Sequence, residues 1–454
     1  MRGQRSDCIV KTDRTLNTVA YWLLRRSAMH LATLKLLITL LLVWPAVPSS
    51  AETVTVDLGV DRGAVTYRAS GFLTGHNDNT VPSSLFVPLK LKMWRNGHGD
   101  VANPYASQMP AGSQAQYIIG GDCYLCSSIN NGDYSSWVSF VQTTVNTCLA
   151  SGIPFEWDIW NEPNNDLAVT QFEEAWREAV VTIRALSPGA VIVGPSLNGF
   201  AQSYLQAFLL YARDHNVLPD VLSWHEFTYP TDMTGNIAAI RAWMVSNGIN
   251  VPRISINEMV GPNFTFSPGP HVWYFAAAER AGIDSAAHAC WQDVNGIDDC
   301  APATLDGLLS PIDQSTRSTW WATKAYAAIT GRLTDVIPGA TTDGVAGKDA
   351  ASSSAQILVG RFSGGTDTIE VLVKNVSQVI SGSSVHVHAE QIPYSGTNAL
   401  SVPTPVIDAD YTVSGNQLSV LLPNFGGLDA YTVRLTGSTG DSTPPASPTA
   451  LRVQ

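Results

Sequence analysis

Between residues 69 and 331 short apolar runs alternate with amphipathic stretches eight times over. That repeat constrains the fold more than any other feature of the chain. When each strand is followed by a crossover helix the next strand lies parallel to it, and eight such units close into a (β/α)8 barrel with no free edge. Strands are predicted at 70–73, 90–94, 116–119, 155–159, 191–193, 221–224, 253–256 and 286–291. Helices are predicted at 134–149, 168–186, 204–215, 235–247, 271–281 and 317–330. In the second helix Phe172, Trp176, Val180 and Ile183 recur at the helical period, and this aromatic stripe reads as core packing.

After Gly331 the texture changes. The segments 355–362, 368–375, 384–389, 411–413, 417–422 and 431–436 are short, alternating, rich in β-branched residues and punctuated by Gly and Ser, as in an antiparallel sandwich. The run 53–58 is also strand-like and is expected to add an edge to that sandwich. The expected fold class is α/β: a (β/α)8 TIM barrel followed by a C-terminal antiparallel β-sandwich. Residues 52–68 form an N-terminal strand segment, 69–335 the barrel, 336–438 the sandwich, and 439–454 a Pro/Ser-rich tail that reads as the start of a linker to a further module. A chain of 454 residues, 45% of them hydrophobic, can fill one large core and a smaller second one.

Residues 1–51 read as a signal peptide with a long basic n-region. An apolar run at 36–44 is followed by Pro45 and by the small residues Ser49-Ser50-Ala51. Initiation at Met29 would leave a leader of ordinary length. A membrane anchor is the competing reading, but an apolar run of about nine residues falls short of the roughly 20 that span a bilayer. The expected location is secreted or periplasmic. Export permits disulfides among Cys123, Cys126, Cys148, Cys290 and Cys300. Cys290 and Cys300 are placed to close one loop, while the first three leave one thiol over whichever way they pair. Cys123 and Cys126 have the C-x-x-C spacing of a zinc or redox site, but no second C-x-x-C or H-x-x-H completes a ligand set. No metal and no cofactor is expected.

The formal charge is −12, and −17 once the +5 of the first 51 residues is set aside. A body this acidic repels phosphate backbones and anionic lipid, so nucleic acid is not an expected partner, nor is a membrane once the leader is removed. The sequence does not fix the oligomeric state.

Two glutamates stand where a barrel places its chemistry, at the C-terminal ends of strands. Glu162 follows strand four in Trp160-Asn161-Glu162-Pro163, where Pro163 stops the ladder. Glu258 closes strand seven in Arg253-Ile254-Ser255-Ile256-Asn257-Glu258. Three intervals round an eight-stranded barrel separate these strands, so their ends face each other across the mouth. Glycoside hydrolysis with retention needs such a pair, about 5–5.5 Å apart, with one member protonated and one ionised.

This four/seven pattern resembles glycoside hydrolase clan A. Within it the chain is most similar to family 39, the β-xylosidase and α-L-iduronidase family, over about residues 52–437. Ser70-Gly71-Phe72 at strand one, Gly194-Pro195-Ser196 after strand five and the C-terminal sandwich support that likeness. The resemblance implies that Glu162 is the acid/base, that Glu258 is the nucleophile, and that Asn161 binds the 2-hydroxyl of the sugar. It also implies that Arg95, just past strand two, supports the nucleophile electrostatically, and that His225 at strand six contacts the pair. The competing role for His225 is a hydrogen-bonded structural histidine. Trp291, at the end of strand eight, resembles the clan's sugar-stacking tryptophan, with Gln292 and Asp293 beside it as hydrogen-bonding groups. Glu226 departs from the pattern and either binds sugar hydroxyls or points into the wall. The function so implied is cleavage of a polysaccharide or oligosaccharide by double displacement. A transglycosylase would carry the same residues; a non-catalytic carbohydrate-binding barrel is the other alternative, and it would not need to keep both glutamates and Arg95. Neither the sugar nor the choice between exo and endo action follows from the sequence.

Overall fold

The computed structural model describes residues 51–73, 81–97, 111–121, 123, 125–292, 296, 300 and 304–438. Residues 1–50 of the expected leader, the Pro/Ser tail and Asp293 lie outside the described residues.

Eight parallel strands form a closed barrel: Gly71–Phe72, Met93–Gly97, Gln114–Gly120, Phe155–Trp160, Ile192–Leu197, Val221–Glu226, Arg253–Met259 and Ser285–His288, numbered one to eight below. Helices cover their outer face and side chains fill the interior, so the strands are buried on both sides and read as nearly continuous apolar runs. Helix Val169–Leu186 buries Phe172, Trp176, Val180 and Ile183, as its period implied. The helix Pro268–Ala281 is buried almost all round because it lies between the barrel and the second domain. There Trp273 Nε1 donates to Gly360 O at 2.9 Å.

Two barrel strands differ from the expectation. Strand two starts later, at Met93, because Lys90 takes a left-handed conformation (φ 47°) after the turn Val87–Leu89 and delays pairing. Arg95 therefore sits inside the strand rather than past its end. Strand eight stops at His288, and the chain leaves the ladder before Trp291.

The sandwich is built from two sheets. One is four-stranded, in the order Asp335–Ile337, Glu52–Asp57, Asp367–Lys374 and Gln417–Phe425. The other has seven strands, in the order Thr404–Thr412, Ser384–Ile392, Ala430–Gly437, Ser354–Arg361, Thr342–Asp349, Arg332–Leu333 and Gly63–Ala64. The N-terminal strand does not form an edge. It runs parallel to Asp367–Lys374 and antiparallel to Asp335–Ile337, with Val54, Val56 and Leu58 fully buried. The strand Thr342–Asp349 was not anticipated, because its glycines and charges mask any alternation. Its backbone packs closely, and a Cβ at Gly347 would lie 2.4 Å from the side chain of Ile329.

Disulfides join Cys290 to Cys300 and Cys123 to Cys126. Among the described residues Cys148 is the remaining thiol, and burial pushes its pKa up to about 11. With both sulfurs of the C-x-x-C pair bonded to each other, that motif is a loop staple in this structure.

Candidate active site

The site is built on a polar barrel interior. Arg95 is fully buried and uses its guanidinium three ways: Nε donates to Asp158 Oδ2 at 2.7 Å, Nη1 to Glu258 Oε1 at 2.6 Å, and Nη2 to Asn161 Oδ1 at 2.9 Å. Burial alone would lower the Arg95 pKa, but the carboxylates of Asp158 and Glu258 outweigh it and the net shift is upward. Asp158, also fully buried, accepts two further bonds, from Ser196 Oγ at 2.7 Å and Asn257 Nδ2 at 2.9 Å. Each buried charge thus has an opposite charge and hydrogen-bond partners, the condition under which burial of ions is tolerated.

Above this floor strand four ends at Trp160, and the chain turns through Asn161 and Glu162 into the short helix Pro163–Asp166. Glu162 adopts a left-handed backbone, φ 54° and ψ 49°. A non-glycine residue stays in that region only when its surroundings hold it there. Here Glu162 N donates to Ser196 O at 2.9 Å, which ties the end of strand four to strand five. The carboxyl group of Glu162 meets His225 Nδ1 at 3.0 Å through Oε1, and its Oε2 accepts from Asn165 Nδ2 at 2.8 Å.

Glu258 approaches from strand seven. His225, fully buried on strand six, lies between the two glutamates, with Nε2 3.7 Å from Glu258 Oε1. One carboxylate oxygen of each glutamate and one ring nitrogen of His225 lie within 4.8 Å of one another. The Glu162 and Glu258 side chains keep 23% and 12% of their surface exposed, so both remain open to a ligand.

The orientation of the Asn161 amide follows from Arg95. A guanidinium can only donate, so the atom facing it must be the oxygen, which leaves the Asn161 NH2 free to donate elsewhere. Phe227 packs edge-on against both His225 and Trp291, with ring centroids 5.2 and 5.0 Å away. Trp291 is half-buried and fixed by its indole N–H, which donates to Val260 O at 2.9 Å. Gln292 is exposed next to it. Glu226 is buried, but its hydrogen bonds run to Trp224 Nε1 at 2.7 Å and Asn236 Nδ2 at 2.9 Å rather than to the two glutamates. Burial raises its pKa.

Two groups of side chains among the described residues have metal-ligand character. One is Cys123, Cys126 and Asp166, whose thiols are consumed in the disulfide. The other is Glu162, His225 and Glu258, but a guanidinium already supplies the positive charge at Glu258. Neither donor set suits a resident cation.

No protein-family model matches the chain. The structure of N2152 from Neocallimastix frontalis superposes on 86% of this chain and on all of its own, with a TM-score of 0.74 at 24% identity. The GH39 enzyme from Xanthomonas axonopodis pv. citri covers 86% of this chain and 100% of its own, with a TM-score of 0.60 at 13% identity. The monomeric β-xylosidase from Caulobacter crescentus CB15 covers 85% and 100%, with a TM-score of 0.60 at 12% identity. The chain has the fold of the family 39 glycoside hydrolases. Its sequence is also distantly similar to two glycosidases. It is 22% identical over 274 residues to the 3-O-β-L-arabinopyranosyl-α-L-arabinofuranosidase of Bifidobacterium pseudocatenulatum, matching 56% of this chain and 27% of that protein. It is 22% identical over 251 residues to the 3-O-α-D-galactosyl-α-L-arabinofuranosidase of Bifidobacterium longum subsp. longum, matching 52% and 21%. The match spans about a quarter of the length of these curated relatives.

Within this family 39 fold, several residues of the site were given no role by the sequence. Asp158, Ser196 and Asn257 form the floor, and Asn165 touches Glu162. The signal for Asp158 was present: Glu156 and Asp158 alternate in an otherwise apolar strand, the period that turns both toward one face.

Proposed function

We propose that the chain is an exported retaining glycoside hydrolase, in which Glu162 is the acid/base and Glu258 the nucleophile. The observation that carries this reading is the spacing of the pair, with carboxylate oxygens within 4.8 Å. Double displacement uses carboxyl groups about 5–5.5 Å apart, whereas inversion needs about 6.5–9.5 Å to admit a water between sugar and base. In the first step Glu258 attacks the anomeric carbon while Glu162 gives its proton to the departing oxygen. In the second step Glu162 takes a proton from water, which displaces Glu258 from the sugar. Arg95 sets a positive charge against Glu258 Oε1, and the free amide N–H of Asn161 is aimed to donate to a sugar hydroxyl. His225 matches both protonation states of Glu162. A ring protonated on Nε2 accepts a hydrogen bond from the protonated acid at Nδ1, and the other tautomer donates one to the carboxylate.

Export is supported by the leader pattern and by two disulfides, bonds that persist in oxidising compartments. For substrate class, both curated relatives are named for an α-L-arabinofuranoside carrying a sugar on O3. One structural neighbour is named a β-xylosidase. Aryl α-L-arabinofuranosides and β-D-xylosides are therefore the first substrates to screen. The decisive variant is Glu258→Gln, which should abolish turnover of every glycoside the wild type cleaves. Normal turnover by that variant would overturn the assignment.

A further inference from the structure

The turn that carries Glu162 is closed by a carboxylate that meets neither glutamate of the pair. Asp166, the last residue of the short helix Pro163–Asp166, accepts through Oδ2 from Trp160 Nε1 at 3.3 Å and from Cys123 N at 3.1 Å. Trp160 ends strand four just before Asn161 and Glu162, so its bond to Asp166 ties the two ends of the turn together. The bond to Cys123 anchors that closed turn to the loop after strand three. Among the described residues Asp166 bonds to neither Glu162, Glu258 nor His225, and it makes no ion pair.

The backbone explains why the turn needs closing. Glu162 sits at φ 54° and ψ 49°, a region that a residue with a side chain leaves unless its neighbours hold it. Main-chain bonds hold the front of the turn: Asn161 N donates to Gly120 O at 2.8 Å and Glu162 N to Ser196 O at 2.9 Å. Behind Glu162 the chain makes a single helical turn, too short to be stable by itself. Asp166 supplies the restraint there. The same short helix carries Asn165, whose Nδ2 donates to Glu162 Oε2 at 2.8 Å, so the orientation of the helix is passed on to the carboxyl group.

We propose that Asp166 is a positioning residue for the acid/base, and that the Cys123–Cys126 disulfide serves the site by presenting the Cys123 N–H to it. This assignment rests on the glycosidase reading above and deepens it. Both donors to Asp166 are fixed in place. The Trp160 ring is buried against Trp137, with centroids 5.1 Å apart, and a Cβ at Gly120 would fall 2.9 Å from it. Cys123 holds a left-handed conformation, φ 55°, inside the loop that its bond to Cys126 closes. A carboxylate between two fixed N–H groups makes charge-assisted bonds, stronger than those to a neutral oxygen.

Leaving-group dependence tests the proposal. A displaced acid slows departures that need a proton, whereas loss of folded protein slows every substrate alike. The quantity measured is kcat/KM, which covers formation of the glycosyl-enzyme, on a methyl and a dinitrophenyl glycoside of one sugar. Asp166→Ala should lower the methyl value at least about ten-fold and the dinitrophenyl value less than about three-fold. Asp166→Asn keeps an acceptor oxygen in place and should restore most of the methyl value. Cys123→Ser/Cys126→Ser should skew the two substrates in the same direction as Asp166→Ala, by a smaller factor. The comparison is a ratio within one preparation, so it does not depend on how much of each variant folds.

Equal losses on the two glycosides in Asp166→Ala, or no loss on either, would overturn the positioning role. An unskewed ratio in the double serine variant would overturn the part assigned to the disulfide. Glu162→Ala separates this proposal from the reading beneath it. A skew in Glu162→Ala without one in Asp166→Ala refutes the positioning role alone, whereas no skew in Glu162→Ala refutes the acid/base assignment itself.

Discussion

Arg95 Nη1 donates to Glu258 Oε1 across 2.6 Å, from a guanidinium that reaches no solvent and is also bonded to Asp158. The ion pair is part of the barrel core and part of the site at once. Replacing Arg95 by Met would leave Asp158 buried without its counter-charge. Breaking a buried pair in this way costs about 3–5 kcal/mol. On the proposed mechanism, loss of the donor aimed at Glu258 should lower kcat/KM by at least about 100-fold. Arg95→Lys keeps a charge but cannot serve three acceptors at fixed angles, so it should recover stability better than activity. Thermal unfolding alongside kcat/KM for both variants checks this; equal recovery of the two properties in the lysine variant would show that charge alone matters.

Glu162 and Glu258 should separate by the kind of substrate each variant still accepts. Glu162→Ala removes the proposed proton donor, which is worth about 10²–10⁴-fold for a leaving group that needs protonation. A dinitrophenyl leaving group departs without that help. The expected result is near-complete loss on methyl glycosides with formation of the glycosyl-enzyme preserved on dinitrophenyl glycosides, read as a burst of phenolate. Equal losses on both substrates would contradict the role of Glu162.

The barrel and both glutamates were legible in the sequence because each depends on short-range pattern. Eight repeats fix the closure, and a proline after Glu162 and a Gly-Pro pair after Met259-Val260 mark the strand ends. The floor of the site was less legible, because Arg95, Asp158, Ser196 and Asn257 come from four different strands and only closure of the barrel brings them together. Placing Arg95 required the register of strand two, which the left-handed Lys90 shifts by three residues relative to the apolar run. Glu226 shows the same limit. Its neighbour His225 meets Glu162 and Glu258, yet Glu226 itself bonds to Trp224 and to Asn236 on the next helix.

The loops after strands six and seven are locked together at Gly261. A Cβ there would fall 1.9 Å from Phe227 O, a backbone atom that cannot rotate away. The preceding Val260 is already held at φ 72°, an unusual conformation for a β-branched residue. Gly261→Ala should therefore cost about 1–3 kcal/mol of stability. It should also displace Phe227 from Trp291 and raise KM more than it lowers kcat. An unaltered unfolding midpoint together with an unaltered KM would show that the two loops move independently.

His271 and His288 set an acid limit on stability. Their Nε2 atoms are 2.7 Å apart in full burial, His271 Nδ1 bonds to Ser267 O, and neither ring bonds to a carboxylate among the described residues. Burial lowers the His271 pKa to about 4 from 6.5, and burial together with the neighbouring ring lowers that of His288 well below 6.5. A folded-state pKa below the unfolded value means that the unfolded chain binds protons first as pH falls. Their contribution is thus intact above about pH 6.5 and is lost progressively from there down to pH 4 and below. For His271 alone the shift is worth about 3 kcal/mol. Urea midpoints of wild type should fall between pH 7 and pH 4.5 by more than those of His271→Gln, in which one titrating ring is gone. Parallel decline of the two proteins would assign the acid sensitivity to carboxylates instead.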